Sequence, residues 1–126
     1  MARVLMVGIN PDLVDFLDPS LPPGMNADII RRGIAKSVED FRAMGEEAIP
    51  FLISADPAEA GRLADHLAGE AIDCVTIGGG VHRPPQNLVL LEALINAVVR
   101  APSRPAIALV ARPDEAPAAV ARALKS

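Results

Sequence analysis

Aromatic residues, cysteine and long apolar runs are scarce in this sequence, and each scarcity excludes a class of protein. The 126 residues include no Trp or Tyr and only Phe16, Phe41 and Phe51, with a formal net charge of −4. A nucleic-acid groove needs cations and stacking rings, so we expect no nucleic-acid partner. No apolar run approaches a membrane span or an export signal, so we expect a soluble, cytoplasmic protein without a membrane partner.

The usual motifs of cofactor sites and nucleophiles are also missing. Neither G-x-G-x-x-G nor G-x-x-x-x-G-K-[ST] occurs, and no Cys-His or Ser-His pair follows a predicted strand. The one cysteine, Cys74, lies in a predicted strand and is expected to be a buried thiol in a reducing compartment. His66 has no second residue at metal-ligand spacing, so it is expected at a surface or boundary. We therefore predict no cofactor-binding motif and no metal site, and the identity of any cofactor stays open.

What the sequence has in quantity is apolar residues, 51% of the chain, arranged as alternating strands and helices. Apolar runs at 4–9, 48–53, 74–77 and 106–111 predict four strands, each followed by a segment of helical periodicity. This alternation predicts a parallel sheet in a single α/β domain spanning residues 1–126. Pro50 cannot donate a ladder hydrogen bond, so the second strand is expected at an edge. We predict a three-layer α/β/α sandwich, flavodoxin-like or Rossmann-like, with strand order 2-1-3-4.

Local signals predict where several helices begin and end. Asn26 is a candidate N-cap for the first helix, and Gly45 a candidate terminator. Asp56-Pro57-Ala58-Glu59 predicts an N-cap aspartate, a proline in the first turn and a glutamate that reaches back to the cap. Pro84-Pro85 is predicted to start a third helix that ends near Arg100, and Asp114-Glu115 to start the last, which is anchored by Val120 and Leu124.

The predicted third helix and fourth strand indicate self-association. The segment from Leu88 to Val99 is apolar almost all round, which is typical of a helix buried on more than one side. The fourth strand is a flat apolar edge that needs cover. We therefore expect a homo-oligomer, most simply a dimer, formed through the 86–99 helix, the 106–111 strand or both.

The candidate site lies where the first and third strands end. In open α/β sheets, ligands bind beyond the carboxyl ends of the strands at the point where the strand order reverses. A glycine turn after the third strand could hold an anion through backbone N–H groups, and a histidine and an arginine follow it. The candidate ligand-binding residues are Asn10, Asp12, Gly78, Gly79, Gly80, His82 and Arg83, flanked by Ser54 and Arg112.

The candidate catalytic residues at this site are Asp12 and His82. Asp12 and His82 would make an acid/base pair only within hydrogen-bond range. The alternatives are that the glycines only connect strand to helix, that His82 and Arg83 are solvated, and that Asp12 is a turn residue. A receiver-like phosphorylation site would need an aspartate where Gly78 stands.

Residues 10–25 form an unusually long connection with four prolines and Gly24. Such loops are either lids or disordered. Leu13, Val14, Phe16 and Leu17 are too apolar for plain disorder, so we expect this segment to pack over the top of the sheet.

Several stretches resemble a family of short, uncharacterised α/β proteins found mainly in bacteria. They are Val7-Gly8 with Pro11-Asp12, residues 73–82 with Pro84-Pro85, residues 91–98 and Pro113-Asp114. The resemblance covers most of the chain and implies the same fold, but it carries no activity.

Two functions remain from the sequence. The first is binding of a small anionic ligand at the crevice between strands one and three, with or without catalysis. The second is a non-catalytic, homo-oligomeric interaction module. Gly79→Val is expected to abolish binding under the first, and Leu94→Asp to break assembly under the second.

Overall fold

All four predicted strands form, and they make one parallel sheet. The computed structural model describes residues 1–125, and Ser126, the last residue of the predicted domain, lies outside them. The strands are β1 (Arg3–Ile9), β2 (Glu47–Ile53), β3 (Cys74–Ile77) and β4 (Ala106–Leu109). Their order is β2-β1-β3-β4, which confirms the predicted flavodoxin-like topology. The last strand ends two residues earlier than expected.

The register explains which strands are central. Val4 of β1 lies opposite Cys74 of β3, and every residue of β3 is buried. The two-sided cover of β3 follows from its uninterrupted apolar and β-branched composition. Pro50 lies in β2 opposite Met6, and β2 pairs only with β1, so the predicted edge position is confirmed.

Helices cover both faces of the sheet and define two cores. One face packs against α1 (Ala27–Ala43) and α5 (Ala116–Leu124), the other against α2 (Glu59–Ala68) and α4 (Leu88–Val99). The α1–α5 core includes buried Val4, Met6, Cys74 and Phe41. The α2–α4 core is larger and is built mainly from Leu, Ile and Val side chains. A short helix, α3 (Gly79–His82), follows β3 directly.

The caps of α1 are where the sequence predicts them. The Asn26 side chain accepts a hydrogen bond from the N–H of Ile29 at 2.9 Å. Gly45 follows the C-cap with a φ of 77°, a left-handed conformation that glycine adopts without strain.

The start of α2 differs from the prediction. The helix begins at Glu59, because Asp56-Pro57-Ala58 forms a separate turn in which Asp56 accepts from the N–H of Ala58 at 2.9 Å. Glu59 does reach back, but its carboxylate accepts from the N–H of Ser54 instead of that of Asp56. The motif therefore ties the helix to the end of β2.

The later helices also start differently. Pro85–Asn87 and Pro113–Glu115 are 3-10 turns, so α4 and α5 begin only after them. Val120 is buried as expected, but Leu124 is 45% exposed and is not part of the core, so the expected anchor at this position is wrong. Small residues take its place, because Ala116 and Ala119 pack closely against the sheet.

Helix α4 is buried on one side only in the single chain. Leu90, Leu94 and Val98 are at most 1% exposed, whereas Val89 and Val99 are 63% and 65% exposed. Burial of a second side, as expected from the sequence, would require another molecule.

Arginines occupy the outward carbonyls at the carboxyl ends of both edge strands. Arg62 of α2 donates to the carbonyl of Leu52 at 3.1 Å and lies over the Phe51 ring. Arg122 of α5 donates to the carbonyl of Leu109 at 3.2 Å. Within residues 1–125 no helix has both the length and the hydrophobicity to cross a bilayer.

Candidate functional site

A cavity of about 90 Å³ lies at the carboxyl ends of β1 and β3, on the face covered by α1 and α5. This is the point where the strand order reverses, the usual ligand position in such sheets. We call it the switch-point cavity. It is lined by Met6, Val7, Gly8, Ile9, Val14, Leu21, Pro22, Met25, Ile30, Ile34, Pro50, Leu52, Thr76, Gly78, Gly79, Gly80, Arg83, Val110, Ala111, Pro113 and Ala116.

The 10–25 loop forms one wall of this cavity. Val14, Leu21 and Pro22 all line it, but of the four apolar residues on which the expected packing was based only Val14 does so. Side-chain oxygens organise the loop locally, for example where Asp18 accepts from the N–H of Ser20 at 2.9 Å and from its hydroxyl at 2.6 Å. Polar groups therefore build the turns, while Val14, Leu21 and Pro22 contribute to the cavity wall and Leu13 and Leu17 are exposed at 59% and 92%.

Two polar contacts tie the loop to its neighbours. Gln86 donates to Asp18 at 2.7 Å, and Arg31 of α1 forms an ion pair with Asp12. The hydrogen bonds from Ser20, and then that from Gln86, lower the pKa of Asp18 below its ordinary value.

The glycine stretch differs from the predicted open turn. Gly78 caps α3, and none of the three glycines has a positive φ. The N–H of Gly78 donates to the carbonyl of Val7 at 3.0 Å, so it is not available to a ligand. A Cβ on Gly79 would lie 2.9 Å from the carbonyl oxygen of Ala111. Gly79 is thus required by the chain's own packing.

Gly8 is different, because a Cβ built on it would meet nothing within 4 Å. Gly8 shares a sheet face with Met6, since side chains alternate along a strand. Both residues line the cavity. The missing side chain of Gly8 therefore contributes to the empty volume.

Arg83 supplies the only formal charge in the lining of this described cavity. Its guanidinium makes no ion pair or hydrogen bond with residues 1–125. The side chain runs back along Gly79, where a Cβ would lie 3.2 Å from Nε. An unpaired guanidinium with five donors at an apolar cavity is suited to a carboxylate or phosphate.

Thr76 is a residue that the sequence reasoning missed. It is 3% exposed and lines the cavity, but its hydroxyl forms no hydrogen bond within the described chain. In the described chain only Nε2 of His66 is a fully buried side-chain polar atom without a partner, so the Thr76 hydroxyl is accessible from the cavity. The only available signal was a hydroxyl residue inside the apolar run of β3, which is not specific enough to identify a site.

The other candidate residues lie outside the cavity lining. The Asn10 side chain accepts from the N–H of Asp12 at 3.0 Å and so stabilises a turn. The Nε2 atom of His82 lies 2.9 Å from the carbonyl oxygen of Val110, which requires that Nε2 carries the proton. Asp12 and His82 are not hydrogen bonded to each other in the described chain.

Cys74, His66 and Arg112 lie outside the cavity lining, and each has neighbours within the protein. Cys74 is free and buried, and burial raises its thiol pKa to about 11. His66 is half-buried with its ring 5.3 Å from that of Phe51, as expected at a boundary. The Nε atom of Arg112 lies 3.8 Å from Oδ1 of Asp114. No group of His, Cys, Asp and Glu side chains suited to a metal ion occurs in residues 1–125.

The cavity is chemically simple. Among its described lining residues only Thr76 and Arg83 have polar side chains, and none is an acid or a histidine. Such a lining can bind a small molecule through one charge, one hydroxyl and apolar walls. It offers no side chain that exchanges protons near neutral pH.

Comparisons with known proteins add no assignment. No protein-family model matches this chain, and no curated protein sequence matches it. What is shown is a small α/β fold with parallel strand order 2-1-3-4.

Proposed function

We propose that this protein binds a small anionic ligand, an aliphatic carboxylate, in the switch-point cavity. The observation that carries the proposal is the unpaired Arg83 guanidinium beside an otherwise apolar cavity. Arg83 is exposed, and a single cation of this kind matches the single charge of a carboxylate better than a phosphate monoester, which carries about −1.5 to −2. Gly78, Gly79 and Gly80 contribute cavity wall, whereas Asn10, Asp12 and His82 position the surrounding backbone.

The volume of the cavity limits the apolar part of the ligand. At about 30 Å³ per water-sized group, 90 Å³ holds an apolar body of about three or four carbon atoms. Sugars and nucleotides fit poorly, because their many hydroxyls and ring nitrogens would lose hydrogen bonds against these walls.

Binding is tested by thermal shift and calorimetry with carboxylates of increasing chain length, inorganic phosphate and nucleotides. We expect affinity for the carboxylates to rise about fourfold per added methylene until the cavity is full. Arg83→Ala should weaken binding by about tenfold or more, because a charge-assisted hydrogen bond is lost. Arg32→Ala, which removes an exposed arginine of α1 outside the lining, is the matched control.

A second variant tests the position of the ligand. A Cβ at residue 8 meets nothing within 4 Å, so Gly8→Val should add side-chain volume to the cavity, and valine suits a strand. We expect it to fold, to melt no lower than the parent and to lose carboxylate binding. Binding that survives Gly8→Val and Arg83→Ala together would disprove this site.

Self-association is the second candidate function, and exposed apolar residues on α4 and β4 favour it. Val89 and Val99 of α4 are about two-thirds exposed, at 63% and 65%, and Leu109 of the edge strand β4 is 47% exposed. Exposed apolar groups of this kind mark interaction surfaces when they are contiguous. The occupant proposed is a second copy of this chain, covering α4, β4 or both.

We also propose that the protein is related to the family of short bacterial α/β proteins that it resembles. Among the segments that resemble that family, Val7, Gly8, Gly78–Gly80 and Pro113 all line the switch-point cavity. Part of the resemblance thus falls where the ligand is proposed to bind, and the 91–98 stretch lies in α4.

A further inference from the structure

We infer that Thr76 selects the ligand, and that the preferred carboxylate has a carbonyl or hydroxyl oxygen on its apolar body. This inference rests on the proposed carboxylate binding and specifies its ligand class. The observation behind it is independent of Arg83: a side chain in the cavity lining, 3% exposed, whose hydroxyl has no partner in the described chain.

Thr76 and Arg83 lie at different places in the cavity lining. Thr76 lies inside β3, opposite Met6 of β1, while Gly78 already caps α3 and Arg83 follows that helix. Strand residues advance by about 3.3 Å each, so Thr76 lies about two residues deeper in the sheet than Gly78. The cavity therefore presents a hydroxyl at its strand floor and a guanidinium beside α3, with apolar side chains making up the rest.

The energetics explain why an oxygen on the ligand matters. The Thr76 hydroxyl is accessible from the cavity, where water can solvate it, and a bound oxygen atom that accepts its proton would replace that water. A purely aliphatic ligand would also displace any water from the hydroxyl and leave it unsatisfied. The site consequently discriminates against the aliphatic analogue as well as in favour of the oxygenated one.

3-Hydroxybutyrate and isovalerate make a matched pair of probes. They have the same number of non-hydrogen atoms, and the hydroxyl of 3-hydroxybutyrate replaces a methyl branch of isovalerate. We expect calorimetry to show 3-hydroxybutyrate binding about two- to tenfold more tightly than isovalerate, the range of one hydrogen bond. Arg83→Ala should weaken both ligands alike.

Thr76→Val is the decisive variant, because valine has the shape of threonine without the hydroxyl. It should not lower the melting temperature of the ligand-free protein, and it should keep isovalerate binding and abolish the preference for 3-hydroxybutyrate. Thr76→Ser retains the hydroxyl and should retain the preference. This combination cannot arise from a structural threonine, whose loss would lower the melting temperature.

The outcomes separate this inference from the proposed function. If both probes bind equally and Thr76→Val changes nothing, the Thr76 assignment is overturned while carboxylate binding stands. If Thr76→Val lowers the melting temperature, the hydroxyl has a structural partner and the assignment is likewise overturned. If neither probe nor any other carboxylate binds the parent protein, the proposed function and this inference both fail.

Discussion

At the scale of single residues, contacts distinguish glycines that the sequence presents as equivalent. Gly33 lies inside α1, and a Cβ there would be 2.6 Å from the Cβ of Pro113 and 3.2 Å from the N of Asp114. Four residues later, the buried Ser37 donates to the carbonyl of Pro113 at 2.6 Å. This small-residue pair allows α1 to approach the segment after β4, which borders the cavity.

Gly33→Ala should therefore destabilise the protein, although alanine is the better helix former. The overlap with Pro113 should cost about 1–3 kcal/mol, which exceeds the gain of up to about 1 kcal/mol in helix propensity. Chemical denaturation measures the difference. Gly61→Ala in α2, where a Cβ meets nothing within 4 Å, is the control and should be stabilising. A Gly33→Ala protein as stable as the parent would contradict the packing argument.

At the scale of elements, the 10–25 loop is held by weak, exposed contacts. Asp18 connects it to the turn before α4 through Gln86, and Asp12 connects it to α1 through Arg31. Such contacts are individually small in water. The loop therefore depends on the cavity-facing side chains Val14, Leu21 and Pro22, and it is the element expected to open for a ligand.

Acidification should loosen this loop through Asp18. Its folded-state pKa is lowered, so the stabilisation is fully present above the ordinary aspartate pKa. It is lost as the pH falls through the lower, folded-state value. Hydrogen exchange should show loop amides losing protection in that acidic range, and Asp18→Asn should already reduce protection at neutral pH.

Asp65→Asn, an exposed change on α2, is the control and should leave loop exchange unchanged. Equal protection of the loop in the Asp18→Asn protein and the parent at neutral pH would contradict a role for this carboxylate.

At the scale of the whole molecule, the strand order was predictable, because it follows from the alternation of apolar strands with helices and from the right-handedness of the crossovers between parallel strands. Alternating strands and helices, with Pro50 in the second strand, were sufficient for the order 2-1-3-4 and for the switch point. The apolar character of the cavity was not predictable from the glycine stretch. It depends on loop side chains such as Leu21, whose position no local pattern specifies.

Contacts between distant segments also explain why the roles of Gly79 and Glu59 were predicted wrongly. Gly79 packs against the Ala111 carbonyl, and the Glu59 carboxylate accepts a hydrogen bond from the N–H of Ser54. Both contacts join segments that come together only in the folded chain. Gly79→Val would therefore disturb the fold as well as any ligand, so Gly8→Val is the better test. Leu94 is fully buried in the core, so Leu94→Asp would unfold the protein instead of testing assembly.

Val99→Asp is the appropriate test of self-association. Sedimentation velocity at micromolar concentrations should show a dimer for the parent and a monomer for the variant, with unchanged melting of the monomer fold, because Val99 is 65% exposed in the single chain. Met44→Asp, a change at a 54% exposed apolar residue after α1, is the control and should remain dimeric. A parent protein that is monomeric at every concentration would remove this candidate function.

Arg62 and Arg122, at the two edges of the sheet, affect how molecules of this protein associate at high concentration. A foreign β-segment can extend a sheet only where main-chain groups are free to receive it. Here Arg62 and Arg122 occupy the outward carbonyls of Leu52 and Leu109. An incoming segment would have to displace a guanidinium at either corner, which disfavours templated, fibril-like growth while leaving helix faces free to associate.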